Sequence, residues 1–435
     1  MMMDWLLHLP AYTKVGGSFL GILILNWLGL PLGLAILLFS VLLPLWAGTG
    51  MNGLIYQAIS FTQPQNYILP IIILLLLFFT ESLSKTGRME RTIGALKEWL
   101  KSKHIIMAGL PALVGLLPMP AGALFSAPFV AAVDEKKELD PPHKVAINYW
   151  FRHIWEYWWP LYPGVILAMQ YSGLPVVVFF MIQIPFTFAA VIGGYFFILR
   201  RVKKDEKNTG YGKIDVNDVL SAMGPIAILV ILSLIGSAVL PLLGIEGALA
   251  NLMAMLAGLI IALGAIFRGH TAVFRQTLHM LMRKDTWFMM ALVVGIQAFS
   301  AALVCPIDAI DSTLITGMRD EFIRTGIPIV AVIMLIPFIS GMATGVAFGF
   351  VGASFPIVFA LVGPELTPAL SAATTAFAYT FGYMGMMLSP VHACFVVTAE
   401  YFGTRIFSAY RYILGPVTVV LLTSIVLSGL YYVTF

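Results

Sequence analysis

The sequence predicts an all-α polytopic membrane protein made of two inverted repeats, each with five transmembrane helices plus one re-entrant hairpin, and with broken helices at the site. Three observations carry this prediction. First, 60% of the 435 residues are hydrophobic and only 11% are charged, which lies far outside a soluble globular domain. Apolar runs long enough to cross a bilayer recur throughout. Second, Leu116 to Gly122 (LLPMPAG), continuing to Pro128 as ALFSAP, has a counterpart in Leu335 to Gly341 (LIPFISG) and then Ser354-Phe355-Pro356. Pro118 pairs with Pro337 and Gly122 with Gly341 at an offset of 219 residues, and Ser126 pairs with Ser354 at 228. Third, lysine and arginine sort to alternate loops as a membrane topology requires.

The elements follow in order. Trp5 to Leu28 is the first span; it lacks the basic start and small-residue cleavage site of a removable signal peptide. Leu30 to Trp46 is the second, residues 48 to 66 are an uncharged loop, and Tyr67 to about Ser84 is the third. From 88 to 104, Arg88, Arg91, Lys97, Lys101 and Lys103 alternate with Ile93, Leu96, Trp99 and Leu100, the pattern of an amphipathic helix on the membrane surface. A re-entrant hairpin fills 104–133. The fourth span, Val145 to Tyr171, breaks near Pro160 and Pro163, and the fifth, Leu174 to Leu199, stops at a basic run beginning with Arg200-Arg201.

Residues 200–217 form a polar cytoplasmic linker between the first repeat, 1–199, and the second, 218–435. The second series comprises Val219 to Leu242, Ile245 to Phe267, a basic surface segment from Arg268 to Lys284, and Trp287 to Val304. A polar segment from Cys305 to Arg324 and a second re-entrant hairpin over 325–362 come next. Pro368 to Tyr401, broken at Ser389-Pro390, and Tyr412 to Tyr432 complete it.

The two series match at an offset near 220, the mark of an internal duplication. Five spans per half is an odd number, so the second copy is inverted relative to the first. With both termini outside, 21 of the 25 basic residues become cytoplasmic, in accord with the positive-inside rule. Lys14, Arg319 and Arg324 fall outside, and Arg152 falls within a span.

Proline and glycine interrupt the helix ladder at both repeated stretches. In hydrocarbon such breaks persist where protein or a water-filled cavity covers them, and paired breaks in two halves point to a transporter's binding site. Pro120, Gly122 and Ser126 in the first hairpin and Ser340, Gly341 and Thr344 in the second are therefore candidate substrate residues. Freed carbonyls there suit Na⁺, and helix starts suit a carboxylate.

Arg152, His153 and Glu156 lie seven to eleven residues into the fourth span, where a charge costs several kcal/mol. Arg152 and Glu156 are four apart and can pair on one helical face. Three readings stay open: a structural pair, an arginine that snorkels to the cytoplasmic surface, or an arginine that attracts an anion while Glu156 or His153 takes up a coupling proton. His392 follows the Ser389-Pro390 break and either meets a carboxylate or caps carbonyls freed by Pro390. Tyr149, Thr380 and Tyr383, with Thr375 and Tyr379, add neutral donors that suit an anion.

Cys305 and Cys394 lack metal-ligand or disulfide spacing and are expected in the core. Asp308 and Asp311 are explained as well by a helix terminus as by a cation site, so no metal is assigned. No Rossmann or phosphate-loop pattern is present, the charge of +4 resides in short loops rather than in a nucleic-acid surface, and no convergent nucleophile set points to an enzyme.

The stretches LLPMPAGALFSAP (116–128) and SPVHACFVVTAE (389–400) resemble the integral membrane family DUF401, a branch of the broad ion transporter superfamily, along the whole chain. That superfamily includes carriers for gluconate, citrate, C4-dicarboxylates and lactate, with inverted repeats, opposed hairpins and, in some, a dimeric scaffold beside an elevator-like transport domain. The resemblance implies that the tips at Pro120 to Ser126 and Ser340 to Thr344 line the site, completed by the breaks at Tyr162-Pro163 and Ser389-Pro390. The dicarboxylate and citrate branches carry Ser-Asn-Thr at the tips, whereas this chain has PMPAG and ISGMATG. The expected function is secondary active transport of a small organic anion, coupled to H⁺ or Na⁺, with a homodimer as the analogous assembly; a cation/proton antiporter is the alternative.

Overall fold

Nearly every segment is apolar and helix-forming, and proline marks where helices begin. Pro64, Pro141, Pro163 and Pro368 each occupy the first turn of a helix, where the missing N–H leaves no bond unmade. A computed structural model describes residues 8–87, 102–116, 122–134, 138–203, 216–245, 247–268, 270–307, 312–363 and 366–434. Most of the amphipathic segment 88–104, Pro120, Asp308, Asp311 and most of the linker 200–217 lie outside the described residues.

The first half contains α1 (Ala11–Trp27), α2 (Leu32–Ala47), α3 (Gly50–Ser60), α4 (Pro64–Lys85), α5 (Lys103–Gly115), α6 (Ala123–Val133), α7 (Pro141–Arg152), α8 (Pro163–Ser172) and α9 (Val176–Phe197). The second contains α10 (Val216–Val239), α11 (Gly247–Phe267), α12 (Thr271–Leu278), α13 (Lys284–Leu303), α14 (Leu314–Thr325), α15 (Ile329–Thr344), α16 (Ala347–Val362), α17 (Pro368–Met387), α18 (Ala393–Tyr401) and α19 (Ile406–Thr434). A two-stranded antiparallel pair, β1 (Pro306–Ile307) with β2 (Ser312–Thr313), precedes α14. The chain is thus an all-α membrane protein.

Among the described residues six helices are long and apolar enough to cross a bilayer: 64–85, 176–201, 223–243, 247–267, 284–303 and 406–434. Ten spans were expected. The difference arises because α1 and α2 have 17 and 16 residues, and because the two broken spans divide into α7 with α8 and α17 with α18. Three further boundaries depart from expectation. The uncharged loop 48–66 holds a helix, α3, whose Gln57 donates from Nε2 to the Ser40 carbonyl at 2.8 Å. The fourth span stops at Arg152, well before Pro160. In the second half, LIPFISG stays helical within α15, and the chain reverses at Gly345, where φ is +62°, a conformation glycine adopts without a Cβ clash.

Two sets of contacts organise the bundle. In one, α2 packs on α1 and α13, α4 on α11, α10 on α11, and α14 on α1. In the other, α5 packs on α6 and α7, α15 on α16 and α17, α6 on α18, α16 on α8, and α19 on α17 and α9. Close approach of backbones fixes two of these pairs. A Cβ on Gly115 of α5 would lie 1.8 Å from the Arg152 carbonyl oxygen of α7, and one on Gly341 of α15 would lie 2.0 Å from the Gly382 carbonyl oxygen of α17.

Charged residues gather at the ends of these helices. Lys103 reaches Glu138 at 3.7 Å, Lys144 reaches Asp134 at 3.0 Å, and Arg411 and Tyr412 both bond Asp140, which also caps α7 by accepting from the His143 N–H at 3.0 Å. Elsewhere Glu321 of α14 accepts from the Ala11 and Tyr12 N–H groups, each at 2.9 Å. The first turn of α1 is therefore capped by a carboxylate some 310 residues away in sequence.

Candidate functional site

The site forms where α7 and α17 both end inside the protein. After Arg152 the sequence runs His153-Ile154-Trp155-Glu156-Tyr157-Trp158-Trp159-Pro160-Leu161-Tyr162-Pro163. Two prolines bar a continuous helix, and Tyr162, preceding Pro163, is extended at φ −89°, ψ 120°. The aromatic groups of this segment then serve backbone left open at the end of α5. Trp155 Nε1 donates to the Ala112 carbonyl at 2.9 Å, Tyr162 Oη to Gly115 at 2.5 Å and Trp159 Nε1 to Leu116 at 2.8 Å.

The broken backbones also satisfy each other. Tyr383 of α17 donates to the His153 carbonyl at 2.6 Å and Tyr379 to the Glu156 carbonyl at 2.6 Å. In return Tyr149 of α7 donates to the Met387 carbonyl at 3.1 Å, and Tyr410 of α19 to Leu388 at 2.7 Å. An unpaired buried carbonyl costs about 1–3 kcal/mol, so these phenols explain how two interruptions persist away from water.

Between the breaks lies a buried cluster. Arg152, His153, Glu156, His392 and Cys394 are 2, 1, 5, 6 and 7% exposed. The ring centroids of Tyr149, His153 and His392 are 4.9 to 5.2 Å apart, and Tyr149 stacks on Phe395 at 4.4 Å. Arg152 Nη1 approaches Cys394 Sγ at 3.6 Å. Its guanidinium lies on Gly122, whose added Cβ would be 2.2 Å from Nη2. His153 Nε2 is 3.8 Å from Glu156 Oε1, and its Nδ1 meets the Tyr149 carbonyl at 2.6 Å.

The expected helical i, i+4 arrangement of Arg152 with Glu156 is corrected, because α7 has ended before Glu156 and the carboxylate is positioned by the break. Snorkelling of Arg152 is likewise replaced by an inward side chain. Of the other sequence candidates, Gly122, Tyr149, Tyr383 and His392 join the cluster. Ser389 donates to the Met342 carbonyl at 2.7 Å and adjoins the turn of α15 with α16, since a Cβ on Gly345 would lie 2.9 Å from the His392 nitrogen and 3.1 Å from Ser389 Oγ.

Among the described residues, the remaining hydroxyls make no hydrogen bond to the cluster's ionisable groups. Ser126 bonds the Ala123 carbonyl in its own helix at 3.3 Å, and Thr344 bonds the Ser340 carbonyl at 2.8 Å. Ser340 Oγ and Thr380 Oγ1 are buried without a hydrogen-bond partner among the described residues. Gly341 serves helix packing, as described above. Sequence reasoning missed three contributors. Cys394 approaches Arg152 at 3.6 Å and has its sulfur within 4.8 Å of a nitrogen of each histidine; Asn148 Nδ2 ties the Ala123 carbonyl to Thr398 Oγ1 at 3.0 and 3.2 Å; and the tryptophans cap α5. The only signal available was the spacing of Cys394 two residues beyond His392.

A separate cavity of about 400 Å³ is lined by Gln65, Asn66, Gln170, Tyr171, Gln297 and Ser300 among others, and none of these belongs to the cluster. Its lining among the described residues is polar and uncharged, with Gln297 Nε2 donating to Asn66 Oδ1 at 3.0 Å.

The fold and site together define a polytopic helical membrane protein of transporter-like architecture, with interrupted helices around buried ionisable side chains. The protein-family model described as "Protein of unknown function (DUF401)" matches residues 20–431, and the chain belongs to this family. No curated protein matches the chain.

Proposed function

We propose that the protein is a secondary active transporter of a small organic anion, and that Arg152 draws the anion to the junction of the two broken helices. The observation that carries this reading is the Arg152 guanidinium, buried inside the bundle and lying on Gly122 where α6 begins. A cation kept at such a depth is expensive, and its fork of donors matches a carboxylate. Tyr149, Tyr383 and His392 supply neutral hydrogen-bonding groups around it.

The same reading takes the two halves as inverted repeats and the pairs α5/α6 and α15/α16 as re-entrant hairpins entering from opposite faces. Support comes from the matched packing of α5 on α7 and α15 on α17, each through a glycine against a carbonyl, and from the exchange of phenol donors between the breaks. It also comes from the sorting of basic residues, which puts both termini outside and the linker in the cytoplasm. Coupling falls to H⁺ through His153 and Glu156 or to Na⁺ at carbonyls of the second hairpin. At the first hairpin, the Ala112, Gly115 and Leu116 carbonyls at the end of α5 already accept bonds from Trp155, Tyr162 and Trp159. Elevator-like movement of the α5–α9 and α15–α19 set against the rest, in a homodimer, completes the proposal.

The test is uptake of radiolabelled gluconate, citrate, succinate and lactate into proteoliposomes under imposed pH or Na⁺ gradients. At least one acid is expected to accumulate, and Arg152→Gln to lower its uptake more than tenfold while the protein stays monodisperse in detergent. Full uptake by Arg152→Gln removes the anion role. A second reading, a cation/proton antiporter, rests on the buried His153–Glu156 contact at 3.8 Å. It is favoured if Na⁺ alone dissipates a pH gradient in anion-free liposomes and Glu156→Gln prevents this.

A further inference from the structure

We propose that His153, His392 and Cys394 form a three-residue binding site for one divalent transition-metal ion of the zinc class, with the Glu156 carboxylate nearby. One ligating atom from each of the three residues lies within 4.8 Å of the others, and all three residues are buried. Zinc bound by nitrogen and sulfur holds its ligands roughly 3.3–3.8 Å apart at bond lengths of about 2.0–2.3 Å. Small side-chain rotations therefore close the set. Glu156 Oε1 lies 3.8 Å from His153 Nε2, which puts a carboxylate beside one member of the set.

The surroundings suit such a site in three respects. His153 Nδ1 is committed to the Tyr149 carbonyl at 2.6 Å, which fixes the tautomer and leaves Nε2 as the donor atom. A carbonyl behind the imidazole is the usual orienting partner of a metal-bound histidine. His392 Nδ1 is a buried nitrogen without a hydrogen-bond partner among the described residues, a state that ordinarily costs free energy unless the atom has a further use. Arg152 Nη1 lies 3.6 Å from Cys394 Sγ, a cation beside the sulfur that loses its proton when it ligates metal. Thiolate and Glu156 carboxylate together offset the two charges of the ion.

Two imidazoles and one thiolate favour zinc or cobalt over magnesium or calcium, which prefer oxygen. The ligands come from the two breaks, His153 just beyond α7 and His392 just before α18. A bound ion would therefore bridge the halves of the chain. This inference requires no anion, and it gives His153 and His392 a role other than the one they have in the transport reading.

The full-length protein, purified with chelator and then incubated with Zn²⁺ or Co²⁺ and desalted, tests it by metal analysis and absorbance. About one ion per chain is expected, with a cobalt–thiolate charge-transfer band in the near ultraviolet. Cys394→Ser should abolish the band, and His392→Asn should lower retained metal more than tenfold, while His279→Asn, altering an exposed histidine, leaves both unchanged. Should the cluster variants fail to fold, alkylation of the wild type gives an independent readout: Zn²⁺ should slow labelling of Cys394 and not of Cys305. No retained metal, retention unaffected by the folded variants, or equal labelling of the two cysteines overturns the site.

Discussion

Gly122 and Gly341 occupy matching places in the repeated motif, yet the atoms their Cβ positions face are different in kind. Beside Gly122 is the far end of the Arg152 side chain, and beside Gly341 is the Gly382 backbone. A flexible guanidinium can step aside, whereas a carbonyl within α17 cannot without moving the helix. Gly122→Ala should therefore leave the melting temperature close to wild type and reduce uptake through a displaced Arg152. Gly341→Ala should destabilise by about 1–3 kcal/mol through overpacking, visible as a lower melting temperature in detergent. Tyr383→Phe leaves the His153 carbonyl without its donor, for a loss of about 1–3 kcal/mol, measurable in the same melt. An equal loss of stability in Gly122→Ala and Gly341→Ala would show that this distinction is wrong. Arg152, His153, Glu156 and His392 were legible in the sequence because ionisable residues stand out in apolar surroundings. Cys394 was not, because a cysteine in a hydrophobic run carries no such contrast and only the approach of α18 to α7 gives it neighbours.

Among elements, the broken spans show how far proline and glycine can be read. Pro160 and Pro163 rightly announced an interruption, but its start at Arg152 depends on Tyr379 and Tyr383 from α17 donating to the exposed carbonyls, a long-range effect with no local signal. Pro337 misled in the opposite sense. The helix α15 absorbs it, and the reversal comes at Gly345, whose positive φ is the feature that matters. Gly345→Ala should accordingly destabilise by about 1–2 kcal/mol from the left-handed backbone alone. The crowding against His392 adds to this, and the melt should fall below that of Gly349→Ala, where φ is unexceptional. The helix α3 went unread because a short uncharged segment has weak periodicity, and its packing on α2 and α13 determines its form. At the start of α1, Glu321→Ala removes the carboxylate that caps Ala11 and Tyr12. About 0.5–2 kcal/mol of stability should be lost, with faster amide exchange confined to the first turn of α1. Unchanged exchange there would discount the cap.

At the scale of the whole molecule, composition was enough for the membrane class, and apolar length was enough to locate most helices. It did not give the number of full crossings, since six helices satisfy the length requirement among the described residues and the others are short or divided. The pairing of α2 with α13 and of α4 with α11 joins the two halves early and late in the chain, a relation that no repeat offset expresses. The proposed sidedness has its own test. A cysteine introduced at Asn208 in the linker should react with a membrane-impermeant maleimide only after the cells are opened, whereas one at Thr325 should react in intact cells. The reverse pattern would invert the topology while leaving the fold unaffected. The cap on α1 finally bears on how the protein is made. Synthesis delivers the opening helix to the bilayer long before the ribosome reaches residue 321, so that helix waits with its leading amides unclaimed for most of translation. That cap closes only once residue 321 has been made, and chains truncated before it should show faster amide exchange in the first turn of α1 than the full-length protein.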